Sequence, residues 1–325
     1  MSTAGTSHAP APVASAWRSP AVVTGVALLC CLLWGSSYPA IKGGYALFSI
    51  AQSDLPSKLL FAGWRFVMAG GFVLLVAAAM GKPALQTFRA HPRQLLVLGA
   101  TQTSLQYVFF YLGLAYTTGV KGAIMNATAT FFSVLIAHGF YANDRLTPAK
   151  ALGCVIGFAG VLTVTLGGNG ELGGAFSWLG EGSVVLAALI LAASSIYGKQ
   201  LSQTVDAMAM TGWQLGLGGA LLVLMGWGSG GQMGLPSWQA LALLVYLALL
   251  SSAAFTLWSL LLKHNRVSQV TIYNFTVPVF GSVLSAWFLG ETLWAWHYVL
   301  ALAMVCLGIW LVTREARGTR KSGNA

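Results

Sequence analysis

Polar residues in this chain are gathered into short links, and between the links run ten apolar stretches of about 20 residues each. In the first half they lie at roughly 21–41, 58–79, 94–114, 120–141 and 149–167. In the second half they lie at roughly 181–199, 207–227, 238–262, 268–289 and 294–312. About 20 apolar residues, rising 1.5 Å each, cross about 30 Å of hydrocarbon, whereas a membrane strand needs only about 10 residues of alternating character. Lipid offers no water to exposed backbone groups, so each run is predicted to be a transmembrane helix that closes its own hydrogen bonds.

The pattern recurs at a fixed spacing. Ile124-Met125-Asn126, followed by Thr130, Phe131 and Phe132, returns 148 residues later as Ile272-Tyr273-Asn274, followed by Pro278, Val279 and Phe280. Trp64-Arg65 with Gly70 returns 149 residues later as Trp213-Gln214 with Gly219. Each half holds five runs. A duplicated unit with an odd number of spans enters the bilayer upside down relative to its twin, so the expected fold class is an all-α membrane protein of two inverted five-helix repeats. The expected units are a disordered tail at 1–20, repeats at 21–167 and 181–312, and a basic tail at 313–325.

Composition agrees with a lipid solvent: 57% of residues are hydrophobic and 7% charged, with a mean hydropathy of +0.74. The net charge of +10 acquires meaning from its placement. If both termini are cytoplasmic, 13 of the 17 Lys and Arg face that side, Lys42, Lys58 and Lys121 face the other, and Arg65 is left inside a span. That asymmetry predicts a multi-pass cell-membrane protein with both ends inside. Charges dispersed over many short loops suit anionic lipid headgroups better than nucleic acid. Cys30, Cys31, Cys154 and Cys306 fall within runs as small apolar fillers, and no metal-ligand spacing or cofactor motif is present.

Several short motifs carry a family resemblance. They are Leu33-Trp34-Gly35-Ser36-Ser37-Tyr38-Pro39, Arg65, the stretch from Asn274 to Pro278, Leu289-Gly290-Glu291-Thr292-Leu293, Gly157-Phe158-Ala159-Gly160-Val161 and Cys306-Leu307-Gly308-Ile309. In this order the chain resembles the drug/metabolite transporter superfamily, specifically its EamA-type ten-helix members, over residues 21–312. The resemblance implies export of small metabolites, often amino acids or related compounds, through a central cavity lined by helices 1, 3, 4, 6, 8 and 9. The repeats differ at Thr130, which answers to Pro278. A proline at membrane depth bends or gates a helix, so helix 9 should kink where helix 4 need not, and Pro39 marks helix 1 in the same way.

Candidate solute contacts follow from the cost of polarity in lipid. An ionisable residue at a helix centre costs about 2.5 to 3.5 kcal/mol on insertion scales, which makes Arg65 the first candidate, either as a binder of a carboxylate or as a tie to neighbouring helices. Its counterpart Gln214 has no charge. Gln102 with Gln106, and Tyr107 with Tyr111, would share faces of helix 3, and Phe255 and Trp258 occupy the matching region of helix 8. Asn126 and Asn274 persist in both repeats, as contacts or as interhelical hydrogen bonds. Ser36-Ser37 and Ser194-Ser195 read as packing residues, and the glycine stretches Gly70-Gly71, Gly153 to Gly157 and Gly216 to Gly219 as contact faces.

The seven acidic residues all map to loops or span ends. Proton-coupled carriers commonly use a carboxylate within the membrane, so the expectation is a facilitator or exchanger, monomeric or homodimeric. An enzyme lacks support, because no His-Glu-x-x-His motif, acid pair or midplane His beside a Ser is present. A lipid flippase or membrane scaffold is the alternative. A polar cavity between the halves would favour the carrier, and a lateral groove open to lipid would favour the flippase.

Overall fold

The computed structural model describes residues 16–51, 53–117, 119–167, 176–289 and 296–322, which are helical with short links and contain no strand. The helices are α1 (Pro20–Leu47), α2 (Leu55–Ala79), α3 (Pro92–Tyr116), α4 (Gly119–Phe140) and α5 (Pro148–Gly167). The second half forms α6 (Trp178–Leu201), α7 (Ala207–Gly228), α8 (Trp238–His264), α9 (267–289) and α10 (Trp296–Ser322). A short helix, Ala84–Ala90, joins α2 to α3. Of these, α1, α2, α3, α6, α7 and α8 are long and apolar enough to cross a membrane, and shorter apolar stretches lie at Ile124–Phe140, Pro148–Thr163 and Val299–Arg314.

Local chemistry sets where the helices begin. Asp54 accepts a hydrogen bond from the Ser57 amide at the start of α2, Asp206 from the Met208 and Ala209 amides at α7, and Ser237 from the Ala240 amide at α8. Pro20, Pro56 and Pro92 stand at first-turn positions, where a missing N–H costs nothing. Two helices depart from α geometry inside. Gly99–Leu105 in α3 is π-helical, and Ile272–Phe275 in α9 is 3₁₀. The α9 break falls just before Pro278, which has no N–H to offer the Asn274 carbonyl, whereas α4 is continuous through Thr130 at the corresponding place. α1 passes through Pro39 as one helix.

The interfaces obey an exchange rule. α2 packs on α7 and α5 on α10, while α1 packs on α8 and α9 just as α6 packs on α3 and α4. Replacing every helix by its counterpart five places away maps this set onto itself, the signature of a pseudo-twofold axis. Glycine contacts give the direction of the self-paired seams. A Cβ on Gly63 would meet Val223 and Gly219, one on Gly70 would meet Gly216 and Gly212, and one on Gly226 would meet Leu60 and Pro56. Partner numbers fall as α2 numbers rise, so α2 and α7 run antiparallel. Gly153 opposite Gly308 and Val312, and Gly160 opposite Ala301 and Val305, show the same for α5 and α10. Counterpart helices that run antiparallel place the axis across the bundle, and the α2–α7 seam is level with itself between Val67 and Met68 on one side and Gly216 and Leu217 on the other. Backbone meets backbone along these seams because glycine leaves no side chain between them. Gly71 is a correction to the contact-face expectation, since no atom lies within 4 Å of a Cβ built there.

Candidate functional site

Arg65 sits two to three residues from the level point of the α2–α7 seam, about 4 Å at 1.5 Å per residue. It is 2% exposed, and its Nε donates to the Ser251 Oγ of α8 at 2.8 Å. One residue further, the Ser252 Oγ donates to the Ala69 carbonyl at 3.0 Å. The second repeat reproduces both bonds. The Gln214 Nε2 donates to the Thr103 Oγ1 at 3.2 Å, and the Ser104 Oγ donates to the Gly218 carbonyl at 2.8 Å. The tie between α2 and α8 is therefore the α7–α3 tie repeated, and a neutral amide is sufficient to make it. What Arg65 adds is charge. No carboxylate among the described residues pairs with it, and its terminal nitrogens have no acceptor there. The Tyr45 and Tyr111 hydroxyls lie close enough to feel its field, and the buried Tyr45 hydroxyl makes no hydrogen bond of ordinary geometry.

Aromatic rings continue from this point. Tyr107 lies 5.9 Å from Tyr111 and 4.7 Å from Phe66 between ring centroids. Phe66 meets Phe255 at 6.0 Å, Phe255 meets Trp34 at 5.6 Å, and Trp34 meets Trp258 at 4.9 Å, mostly edge to face. Tyr107, Tyr111 and Trp258 thus belong to one connected cluster of packed rings drawn from α1, α2, α3 and α8, with the Arg65 guanidinium 4.9 Å from the Phe66 ring. Asn126 and Asn274 lie apart from it. The Thr130 Oγ1 donates to the Thr271 carbonyl at 3.3 Å, and Phe131 and Phe275 stand 6.1 Å apart, so α4 packs on the broken stretch of α9 that holds Asn274. The Asn126 Oδ1 is buried without a partner. No hydrogen bond joins the two asparagines.

A cavity of about 550 Å³ opens towards the end of the bundle that carries Arg18, His264 and Arg266. Residues of α1, the α4–α5 link, α6, α8, α9 and α10 line it, so both halves contribute. Thr313 brings in α10, and α3 supplies no lining residue, unlike the expected set of helices. The Thr24 and Tyr273 hydroxyls, 2.7 Å apart, form part of its wall. None of the six expected contacts lines this cavity. On α8, Lys263 at its rim is 12 residues beyond Ser251, about 18 Å along the axis, with Trp258 in between. The Lys199 ammonium donates to the Leu262 and Asn265 carbonyls, and that of Lys263 to the Val205 carbonyl, which satisfies the ends of helices without neutralising the charge. Tyr141, in the same lining and outside the spans, has its phenol pushed above the ordinary range by burial, with the Asp144 charge adding to the effect.

Two carboxylates assigned to a loop and to a span end, Asp144 and Glu181, prove to be buried. Asp144, 1% exposed, accepts from the Lys150 Nζ at 2.7 Å, from the Ser268 amide at 3.0 Å and from the Ser268 hydroxyl, joining the α4–α5 link to the start of α9. Glu181 accepts from the Thr117 hydroxyl and the Ser177 amide, both at 2.9 Å, at the opposite start of α6. The Ser177 hydroxyl accepts from the Gly180 amide while Glu181 accepts from the Ser177 amide, a reciprocal pair like a capping box but with the acid four residues on rather than three, so the usual sequence signature was missing. Nothing local pointed to Asp144, whose partner Ser268 is 124 residues away. Gln102 is committed within the bundle rather than to a pore: it lies in the π-helical stretch, and its Nε2 donates to the Ser195 Oγ of α6 at 3.3 Å.

A model of the EamA-like transporter family matches the chain twice, at residues 23–166 and 178–314. An uncharacterized transporter of Archaeoglobus fulgidus is 26% identical over 266 residues, covering 81% of this chain and 88% of the relative. An uncharacterized transporter of Bacillus subtilis is 25% identical over 294 residues, covering 89% and 90%. A crystal structure of 20% sequence identity superposes with a TM-score of 0.78 over 93% of this chain and 99% of the other, which speaks to the fold alone.

Proposed function

We propose that this chain, which belongs to the EamA-like transporter family, is a secondary carrier that exports a small metabolite, an amino acid or related amphipathic compound, across the cell inner membrane. It is a membrane transporter, and the finer reading is ours. Ten spans form two inverted five-helix repeats with both termini cytoplasmic. The antiparallel seams between counterpart helices, the twofold match of the family model and the placement of Lys and Arg all support that arrangement.

The observation that carries the carrier reading is the cavity of about 550 Å³ lined with polar residues from both repeats. That volume suits a small metabolite, and a polar lining between the halves favours transport over lipid flipping. The solute enters from the cytoplasm past Thr24 and Tyr273, passes Trp258 and, as the halves rock apart, reaches the ring cluster of Tyr107 and Tyr111 beside Arg65 near the membrane centre. Rings supply apolar faces there, and Arg65 supplies two free donors. Asn126 and Asn274, on the packed α4 and α9, meet the solute as the halves rock. Pro278 supplies the break in α9, Pro39 is the place where the continuous α1 can flex, and the glycine seams of α2–α7 and α5–α10 are the surfaces on which the halves move. With no carboxylate in mid-membrane, transport follows the solute's own gradient or exchange.

An export and toxicity-rescue screen over amino acids, purines and organic acids, in cells overproducing the chain, tests the function. Rescue by at least one compound class, lost in an Arg65→Ala variant that still reaches the membrane, is the expected result. Absence of rescue by every class refutes the export reading. Proteoliposome flux that strictly requires an imposed pH gradient refutes the facilitator or exchanger part.

A further inference from the structure

We infer that the exported solute carries a net negative charge and that the inside-negative membrane potential drives it outward. This rests on the transport reading above and narrows its substrate class. Two independent features place positive charge along one route. The first is the cavity, where Arg18, Lys199 and Lys263 converge, and where Asp144 is the one carboxylate among the described lining residues. That carboxylate is already committed to Lys150 and to the amide and hydroxyl of Ser268, so a solute meets the cations. Basic residues gather at the cytoplasmic face of most membrane proteins, so this feature alone would carry little weight.

Arg65 is the second feature, and that rule does not explain it. It lies near the membrane centre, 2% exposed, with no carboxylate partner among the described residues. The Gln214–Thr103 bond shows that the helix tie requires no charge at this position. A buried guanidinium that has the Phe66 ring at 4.9 Å but no carboxylate among the described residues raises the energy of a passing cation and lowers that of an anion, and a solute carboxylate or sulfonate completes its bidentate fork. A cation would meet repulsion at both stations. A univalent anion carried alone is pushed out of an inside-negative cell with a force of about 2.3 kcal/mol per 100 mV, an outward ratio of about 50-fold. Export driven in this way needs no proton, which agrees with the lack of a carboxylate in the middle of any described span; Glu181 lies at the very start of α6.

The test uses purified protein in proteoliposomes and three probes that share a ring: benzenesulfonate, phenylalanine and phenyltrimethylammonium. A potassium gradient with valinomycin sets the potential, and empty liposomes give the background. Benzenesulfonate should move fastest, and its steady-state ratio should approach about 50-fold per 100 mV towards the positive side. Arg65→Gln, which keeps the bond that Gln214 makes, should cut benzenesulfonate flux about tenfold or more, the worth of a charge-assisted hydrogen bond. Arg89→Gln, an exposed basic residue outside the cavity, should leave it unchanged. Faster movement of phenyltrimethylammonium or phenylalanine, benzenesulfonate flux indifferent to the potential, or wild-type flux in Arg65→Gln overturns the charge inference while transport itself stands. If no probe moves above the empty-liposome background, the transport reading fails along with the inference.

Discussion

Gly70 and Gly71 are neighbours on α2, and the same substitution should have opposite effects on them. A Cβ at Gly70 would lie 2.4 Å from the Gly216 nitrogen and 2.6 Å from both the Gly212 oxygen and the Gly216 Cα. All three are backbone atoms that no rotamer change can move, so α7 must withdraw by about 1 Å to reach ordinary contact, loosening the seam at Gly63 and Gly219 as well. Overpacking of this kind costs about 1–3 kcal/mol, and the better helix propensity of Ala returns about 1 kcal/mol. The net expectation for Gly70→Ala is a loss of up to about 2 kcal/mol. At Gly71 no atom lies within 4 Å, so only the propensity gain remains, and Gly71→Ala should stabilise by up to about 1 kcal/mol. The duplication supplies an internal control. The counterpart of Gly71 in the second repeat is Ala220, which already carries a Cβ, whereas the counterpart of Gly70 is Gly219, where a Cβ would lie 2.6 Å from the Val67 nitrogen. Gly216, whose counterpart is Val67, would bring a Cβ no nearer than 4.0 Å to Gly70, so Gly216→Ala should be tolerated and Gly219→Ala should not. Thermal unfolding in detergent, followed by size-exclusion recovery, reads the difference, since 1 kcal/mol shifts the midpoint of a large domain by about 2–4 °C. Equal midpoints for Gly70→Ala and Gly71→Ala would refute the tight antiparallel seam.

Other expectations are equally specific. Asp144→Asn leaves the buried Lys150 ammonium without its anion and should cost about 3–5 kcal/mol in thermal stability, and adding Lys150→Met should recover part of it; no recovery would mean that the two residues are not coupled. Pro278→Ala restores an N–H for the Asn274 carbonyl and should make α9 continuous like α4, slowing proteoliposome flux without lowering the unfolding midpoint; unchanged flux would remove the break from the transport cycle. In a variant with all four cysteines replaced, single cysteines at Ser2 and Ser322 should both react with an impermeant maleimide only from the cytoplasmic side, and labelling of either from outside would contradict the topology.

The all-helical class and the duplication were legible because lipid leaves a chain few choices, whereas which helix packs on which was not. A run of about 20 apolar residues in hydrocarbon becomes a helix, and an odd number of runs per repeat inverts the second copy, so the spacing of Arg65 from Gln214 already implied opposed depths on either side of the membrane centre. The rotation of α3 was not legible. Its π-helical stretch arises where Thr103 and Ser104 meet Gln214 and the Gly218 carbonyl of α7, a contact between segments more than 100 residues apart, and it directs Gln102 towards Ser195. Asp144 was hidden for the same reason, its partner being Ser268. The duplication still separates architecture from function once contacts are known. Where a residue and its counterpart make the same bond, as Arg65 with Ser251 and Gln214 with Thr103, the bond belongs to the bundle. A feature present in only one copy is one the fold does not require, and at this position that feature is the charge. Its insertion cost of about 2.5 to 3.5 kcal/mol has no counterpart in the second repeat; within the chain the Phe66 ring, 4.9 Å from the guanidinium, offsets part of it, and a solute anion is the further partner that the transport reading supplies.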